Sequence, residues 1–357
     1  MTKTILLTGG GTAGHVTPNL ALLPQLRAEG YTIHYIGTAD GIERTLLSGE
    51  TDICYHAISA GKLRRYFSLK NFADPFRVLK GVFQAKRIIK AVRPDVVFSK
   101  GGFVSVPVVV AAHSKAPVIT HESDYTPGLA NRIAAHFADT VCVTFEDTLQ
   151  YVGKKGVYTG TPIRPALFAG KDEKGLSFTG FTGARPILLA MGGSQGAQAL
   201  NDALRAALGR LTQSFDIIHL CGKGKLAEGL CDPAYRQYEY VDQELPDLMA
   251  CADIVLSRAG ANSVFEFLAL AKPALLIPLP LNASRGDQIL NAKYFARKGY
   301  ALTMEQADLT PDSLCDALDS LYENRLKFIS TMSADARADG TDEVLDVIRR
   351  AASKTKP

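Results

Sequence analysis

A short apolar run that breaks into glycines and restarts as a helix occurs three times in this 357-residue chain, and that repeat limits the fold more than any other feature. Ile187 to Met191 leads into Gly192-Gly193-Ser194-Gln195-Gly196 and then an Ala/Leu-rich segment. Thr4 to Thr8 leads into Gly9-Gly10-Gly11-Thr12-Ala13-Gly14-His15, after which Thr17 and Pro18 open a helix with Leu20, Leu22, Leu23 and Leu26 on its buried side. Asp95 to Ser99 leads into Lys100-Gly101-Gly102-Phe103-Val104-Ser105. Strands apolar on both faces belong to parallel sheets covered by helices, so the pattern predicts doubly wound α/β architecture. A glycine turn at a helix N-terminus turns backbone N–H groups outward and lets a phosphate approach the main chain. Taken singly, each turn could equally be a βα connection without a ligand.

The length predicts two domains of roughly 150 to 200 residues. With 46% hydrophobic and 21% charged residues, the composition is that of a globular protein, and no apolar run reaches the roughly 18 residues of a membrane span. The six cysteines are scattered, with neither zinc-motif nor disulfide spacing, and Ile5-Leu6-Leu7 is too short for a signal sequence, so a cytoplasmic chain with reduced thiols is expected. The net charge of +4 hides an asymmetry: residues 1–160 hold 18 Lys/Arg against 12 Asp/Glu. Lys62, Arg64, Arg65, Lys70, Arg77, Lys80, Lys86, Arg87, Lys90 and Arg93 face only Asp74, interleaved with Phe67, Leu69, Phe72, Phe76, Leu79 and Phe83. Either the aromatics pack on the sheet, or the stretch is an amphipathic surface for an anionic membrane. Nothing in the pattern points to nucleic acid.

Gly9, Gly11 and Gly14 formally satisfy G-x-G-x-x-G, but the acid that would hold an adenosine ribose is missing after Ile33-His34-Tyr35-Ile36, and Asp40 comes too late. Pro117 to Thr120 delivers His121-Glu122-Ser123-Asp124, which reads either as a polar cluster handling a proton and a diphosphate or as a structural hydrogen-bond pair. Loops 9–15, 100–106 and 121–128 all follow strands and should line one crevice. A strand over Thr140 to Thr144 comes next, and two prolines and neighbouring turns around Tyr158 to Pro165 mark a hinge. Further strands are expected at Asp216 to Leu220, Tyr238 to Val241, Ile254 to Leu256 and Ala274 to Pro278, with a tail helix from about Ala334 to Ala352. In Ser257 to Glu266, Ser263 and Glu266 have capping-box spacing, although a carboxylate there can equally take both hydroxyls of a ribose. The run Ser284 to Asn291 places amides and a carboxylate where they could read a sugar's hydroxyls, or simply begins a solvated helix.

Together Gly9 to His15, Gly101-Gly102-Phe103-Val104-Ser105, Gly192 to Ala197 and Ser257-Arg258-Ala259-Gly260-Ala261 to Glu266 resemble the MurG family of peptidoglycan glycosyltransferases over essentially the whole chain. The resemblance implies a GT-B fold of two doubly wound, Rossmann-like domains facing across a cleft. Residues 1–160 would take the acceptor, lipid I, with a tail helix of about 336–357 packing back on them. Residues 165–335 would take UDP-N-acetylglucosamine. Transfer to the muramyl C4 hydroxyl with inversion would give lipid II, at the cytoplasmic face of the membrane with peripheral attachment. Carried over by position, Gly193, Ser194, Gln195 and Arg164 would bind the donor diphosphate, Glu266 the ribose, main chain near Ala261 and Asn262 the uracil, and Gln288 with Asp287 or Asn291 the sugar. Gly11, Thr12, Ala13, Gly14, Gly101, Gly102 and Ser105 would face the acceptor. Ala13 stands where the family often has glycine and Asp124 where some members have asparagine, so an extra charge lies near the reacting hydroxyl.

Inversion needs a base for the acceptor proton and neutralisation of the leaving diphosphate. For the base His15 ranks first, ahead of Glu122 and Asp124, with donation to phosphate as the other reading of His15. No Asp-x-Asp occurs, so the residues encode no metal cage; helix dipoles and Arg164 are the expected neutralisers, and a divalent cation is compatible but not required. The competing functions are another inverting GT-B enzyme acting on a different lipid or small-molecule acceptor, and a non-catalytic paralogue that binds precursors.

Overall fold

A computed structural model describes residues 3–61, 74–193, 196–335 and 337–354. The chain divides into two units, Met1–Arg164 with Asp339–Pro357, and Pro165–Ala338. The first holds seven parallel strands: β1 (Thr4–Thr8), β2 (Thr32–Gly37), β3 (Cys54–Ala57), β4 (Val96–Ser99), β5 (Val118–Glu122), β6 (Thr140–Val143) and β7 (Gly156–Tyr158). Their order is β3-β2-β1-β4-β5-β6-β7. The second holds six: β8 (Ile187–Met191), β9 (Asp216–Leu220), β10 (Tyr235–Tyr238), β11 (Ile254–Ser257), β12 (Ala274–Leu276) and β13 (Ala301–Thr303), ordered β10-β9-β8-β11-β12-β13. Every neighbouring pair in both sheets is parallel. In each sheet the winding reverses at one place, between β1 and β4 and between β8 and β11, and such a switch point leaves a crevice at the carboxyl ends of the strands.

Alternation along the strands builds two cores on the first sheet. Ile5 and Leu7 pack on one face with Leu22, Leu23 and Leu26, while Leu6, Ile36 and Val97 pack on the other with Ala85, Val108 and Val109. The tail helix Thr341–Ala352 closes the first of these faces through Val344, Leu345, Val347 and Ile348. Its entry is fixed by backbone: the Gly340 N–H donates to the Thr161 carbonyl at 3.0 Å, and a Cβ on Gly340 would lie 2.3 Å from the Thr159 oxygen. In the second unit Leu188, Ala190, Ile217, Ile254, Leu256 and Leu275 form the core with Leu200, Leu204, Leu314 and Leu318.

Several sequence expectations need correction. The strand read at Tyr238 to Val241 pairs with β9 over Tyr235–Tyr238 instead, because Tyr235 is the residue that turns inward, its hydroxyl 2.8 Å from His219 Nδ1. The tail helix begins at Thr341, later than expected. Three short edge or near-edge strands, β3, β7 and β13, carried no recognisable pattern. In the basic stretch, Lys62 to Phe72 lie outside the described residues, and the rest forms the helix Asp74–Val92. Its inner side is Gly81, Ala85 and Ile89, whereas Phe76 is 76% exposed, Leu79 54% and Phe83 59%. Packing of these three on the sheet is therefore overturned: a Cβ on Gly81 would already lie 2.1 Å from the Ser59 carbonyl, so the helix lies against the sheet unit by its small residues.

The tail helix makes a testable claim. Truncating fully buried Ile348 to alanine should destabilise the first unit by about 2–5 kcal/mol. Denaturant unfolding should show the loss in the transition assigned to that unit; an unchanged midpoint would mean the tail adds nothing to its core.

Candidate active site

In the first unit the turns after β1 and β4 interlock through backbone. A Cβ on Gly102 would lie 2.3 Å from the Gly10 carbonyl oxygen and 3.3 Å from His15 Nδ1, and one on Gly9 would lie 2.3 Å from the His15 carbonyl. Gly11, Gly101 and Gly102 all have positive φ, at 84°, 100° and 80°. His15 ends a short 3-10 turn, Ala13–His15, and is half-buried, its Nδ1 2.9 Å from Thr12 Oγ1. Thr12 and Gly14 are exposed and Ala13 half-buried, so this rim is open to a ligand. Ser105 is not part of the rim: fully buried, it donates through Oγ to the Gly102 carbonyl at 2.8 Å and shapes the turn from beneath.

Two buried charges that the sequence reading did not assign lie under these loops. Glu43, on the helix Ile42–Leu46, is fully buried; its carboxylate accepts from the Gly11 N–H at 3.2 Å and from the Thr38 N–H and hydroxyl at 2.8 and 2.6 Å. The first turn therefore spends an N–H on a carboxylate, which counts against a nucleotide phosphate there. Lys100, fully buried, donates from Nζ to His121 Nδ1 at 2.6 Å and to Ser123 Oγ at 2.7 Å, with Thr161 Oγ1 at 3.5 Å. His121 Nε2 donates to the Gly160 carbonyl at 2.9 Å, which leaves Nδ1 as an acceptor and fixes the ring as neutral. Burial pushes the Lys100 ammonium down to about 7, against the charges of Glu122 and Asp124. Burial and the Lys100 charge hold His121 well below the ordinary imidazole range.

Glu122 ends β5 with 3% exposure. Its carboxylate accepts from the Asp124 N–H at 2.8 Å, the Gly128 N–H at 3.1 Å and Asn131 Nδ2 at 2.9 Å, so it folds loop 123–128 around itself. Burial, helped by Asp124, pushes it up to about 7. Asp124 is half-buried on that loop.

In the second unit β8 and β11, adjacent at the switch point, each deliver a turn to a helix. Gly193 and Gly196 have φ of 81° and 66°, the Gly196 N–H donates to the Gly193 carbonyl at 2.9 Å, and a Cβ on Gly196 would lie 2.0 Å from the Cys221 carbonyl. That carbonyl is held by Asn201 Nδ2 at 2.9 Å, whose Oδ1 meets His219 Nε2 at 3.0 Å. Ser194 and Gln195, at the centre of the turn, lie outside the described residues. The helices Gln198–Ala206 and Ala261–Ala269 both start from an N-cap residue, Ala197 and Gly260, that has no side chain able to cap.

The capping box expected at Ser263 and Glu266 does not form. Gly260, with ψ of 133°, is the N-cap, and Ser263 already lies inside the helix. Glu266 is thus more than one turn into the helix and half-buried. Ala261 is buried and Asn262 half-buried at the helix start. Arg258 forks onto the Ile277 and Pro278 carbonyls at 3.0 and 3.3 Å and onto Gln306 Oε1 at 2.7 Å, tying the ends of β11 and β12 together. Asn291, fully buried, donates to the Ala259 carbonyl at 3.0 Å and so braces this turn instead of lining its surface. Gln288 is half-buried, its Oε1 accepting from the Leu279 N–H at 3.1 Å, and half-buried Asp287 pairs with Arg285 at 2.7 Å. Arg164 is half-buried at the end of the first unit's main segment.

Comparisons with known proteins cover nearly the whole chain. Residues 5–143 match the glycosyltransferase family 28 N-terminal domain and residues 187–347 the glycosyltransferase family 28 C-terminal domain. The chain is 55% identical over 353 residues, 98% of each chain, to the UDP-N-acetylglucosamine–N-acetylmuramyl-(pentapeptide) pyrophosphoryl-undecaprenol N-acetylglucosamine transferase of Clostridium tetani. It is 54% identical to the enzyme of the same name from Clostridium botulinum, over 98% of this chain and 99% of that one. The crystal structure of Acinetobacter baumannii MurG superposes with a TM-score of 0.76 at 27% identity, covering 98% and 99% of the two chains.

The ionisation of Glu122 can be tested. Its folded value of about 7 lies above its ordinary 4.5, so the native state holds this proton more tightly than the unfolded chain does. The resulting stability is fully present below pH 4.5 and is lost as pH rises through about 7. Glu122→Gln should flatten that decline in urea midpoints measured from pH 4.5 to 7; a decline as steep as in the parent protein would disprove the raised value.

Proposed function

The chain belongs to the MurG family of glycosyltransferases, with the GT-B fold, and on that premise we propose how its own residues carry the family's reaction. The enzyme moves N-acetylglucosamine from UDP-N-acetylglucosamine to the C4 hydroxyl of the muramyl sugar of lipid I with inversion, giving lipid II for peptidoglycan synthesis. The assignment of roles rests on one observation: each sheet has a single switch point, and the glycine turns of each unit open there.

The second unit takes the donor. Its turn Gly192 to Gly196 and the uncapped start of the helix Gln198–Ala206 receive the UDP diphosphate on backbone N–H groups, with Ser194, Gln195 and Arg164 adding donors. Glu266 accepts from the ribose hydroxyls, and the main chain at Ala261 and Asn262 meets the uracil. Gln288 and Asp287 read the sugar, while Asn291 acts through the Ala259 carbonyl as a positioning residue.

The first unit takes the acceptor on the rim Gly11 to Gly14 and on Gly101 and Gly102. His15 removes the proton from the C4 hydroxyl, since its imidazole is half-buried at the rim whereas the Glu122 carboxylate is committed to three donors of its own loop. Glu122 and Ser105 are positioning residues, and Asp124 supplies negative charge at the edge of the site. As the anomeric bond breaks, negative charge grows on the UDP oxygen, and the fixed N–H groups of the donor turn stabilise it without reorganising.

His15→Ala should lower kcat by about 10²- to 10⁴-fold with little change in KM for the donor. Glu266→Ala should lower kcat/KM for UDP-N-acetylglucosamine by roughly 10- to 100-fold, the loss of hydrogen bonds to a charged group. Both are read with a soluble lipid I analogue; wild-type kinetics in either variant would reject the role given to that residue.

No helix among the described residues is long and apolar enough to cross a membrane. Attachment is peripheral, at the cytoplasmic face, through the outer side of the helix Asp74–Val92. Phe76, Leu79 and Phe83 lie there among exposed Lys80, Lys86, Arg87 and Lys90, an apolar stripe set in cations. Phe76→Ser with Phe83→Ser should weaken binding to anionic vesicles at least about tenfold, given about 1.5–3 kcal/mol for each buried aromatic side chain. Unchanged vesicle binding by the folded double variant would move the contact elsewhere.

A further inference from the structure

On the same sheet, away from the glycine turns, three ligating side chains converge. Parallel pairing sets His34 of β2 opposite Cys54 of β3, and the two-residue period of a strand puts His56 on the same face as Cys54. His34 Nδ1 and His56 Nε2 are 2.9 Å apart, their ring planes 11° from parallel, and one ring nitrogen of each histidine and Cys54 Sγ all lie within 4.8 Å of one another. The face is one that should be apolar: Ile36 of β2 and Ile58 just past the end of β3, at the same parity, are buried in the core with Ala85 and Ile89. Two imidazoles and a thiol replace the hydrocarbon expected at these positions, beside the sheet's edge, where Cys54 is exposed and both histidines are half-buried.

We propose that His34, Cys54 and His56 form a site for a borderline-soft divalent cation of the zinc class. Nitrogen and thiolate donors suit that ion, and the three side chains supply no oxygen ligand of the kind magnesium or calcium requires. Zinc binds imidazole nitrogen at about 2.0–2.1 Å and thiolate sulfur at about 2.3 Å in a tetrahedron. The two rings hydrogen-bond to each other without metal; on binding they swing toward Sγ, and the nitrogens part from 2.9 Å to about 3.3 Å. The proton between them moves to a distal ring nitrogen, the Cys54 thiol releases its proton to solvent, and water fills the fourth position from the exposed side. The bound ion would cross-link the four-residue edge strand β3 to β2.

The test uses the full-length protein, reduced and stripped with a chelator, then titrated with zinc or cobalt(II). The expected result is one equivalent of tight binding, a thiolate-to-cobalt charge-transfer band, and a zinc-dependent rise in the melting temperature. Cys54→Ser should abolish the band, and H34A or H56A should each weaken zinc binding by more than the roughly 10- to 100-fold that losing an outer-shell partner costs. His34→Asn serves if H34A does not fold, and retained glycosyl transfer shows that a variant is intact. A band that persists in Cys54→Ser, zinc affinity unchanged in H34A and H56A, or the absence of any band would overturn the site.

Discussion

The close approach of the Gly10 carbonyl to Gly102 at the β1–β4 switch point is the contact on which the first unit's site depends, since neither turn can hold its shape if a side chain stands between them. The winding reversal opens a crevice, and glycine lets two backbones fill it while keeping their outer atoms exposed. Everything beneath is arranged to hold that contact. Ser105 grips the Gly102 carbonyl, Glu43 takes the Gly11 N–H, and Lys100 gathers side chains from the ends of β5 and β7. The second unit repeats the logic with other residues: Gly196 closes on the Cys221 carbonyl, and Asn201 fixes that carbonyl from inside.

In the proposed reaction this arrangement separates residues that would touch substrate from residues that aim them. Glu122 looks like an acid–base candidate because of its residue type and loop, but with three donors on its carboxylate its work is to fold residues 123–128. Asn291 follows the same rule in the second unit. His15 differs, because it lies at the rim beside exposed Thr12 and Gly14. Buried Lys100 and His121 form a hydrogen-bonded pair whose burial disfavours both ionised forms, a stiff support beneath loop 123–128.

Much of this was legible in the chain itself. β1 and β8 are apolar runs ended by glycine, and β9 is apolar but for Asp216 and His219, and those signals are local. What was not legible depends on distant partners. β3 pairs over only four residues and β7 over three, too few to show a period, and they exist because a neighbouring strand offers hydrogen bonds. Ser263 and Gly260 are both acceptable N-caps by residue type; only the backbone at Gly260 decides where the helix begins. The burial of Lys100 follows from His121, Ser123 and Thr161 meeting it in space, which no local pattern shows. The helix Asp74–Val92 carries apolar residues on two sides, so the sequence left open which side faces inward until Gly81 and Ala85 were found against the sheet.

The central claim, that the donor turn and the acceptor rim serve transfer to lipid I, is tested most directly by supplying radiolabelled UDP-N-acetylglucosamine, beside UDP-glucose, with a lipid I analogue bearing a short soluble prenyl chain. Transfer of N-acetylglucosamine and not of glucose is the expected result. Tight binding of UDP-N-acetylglucosamine without transfer, or equal transfer of both sugars, would contradict the account.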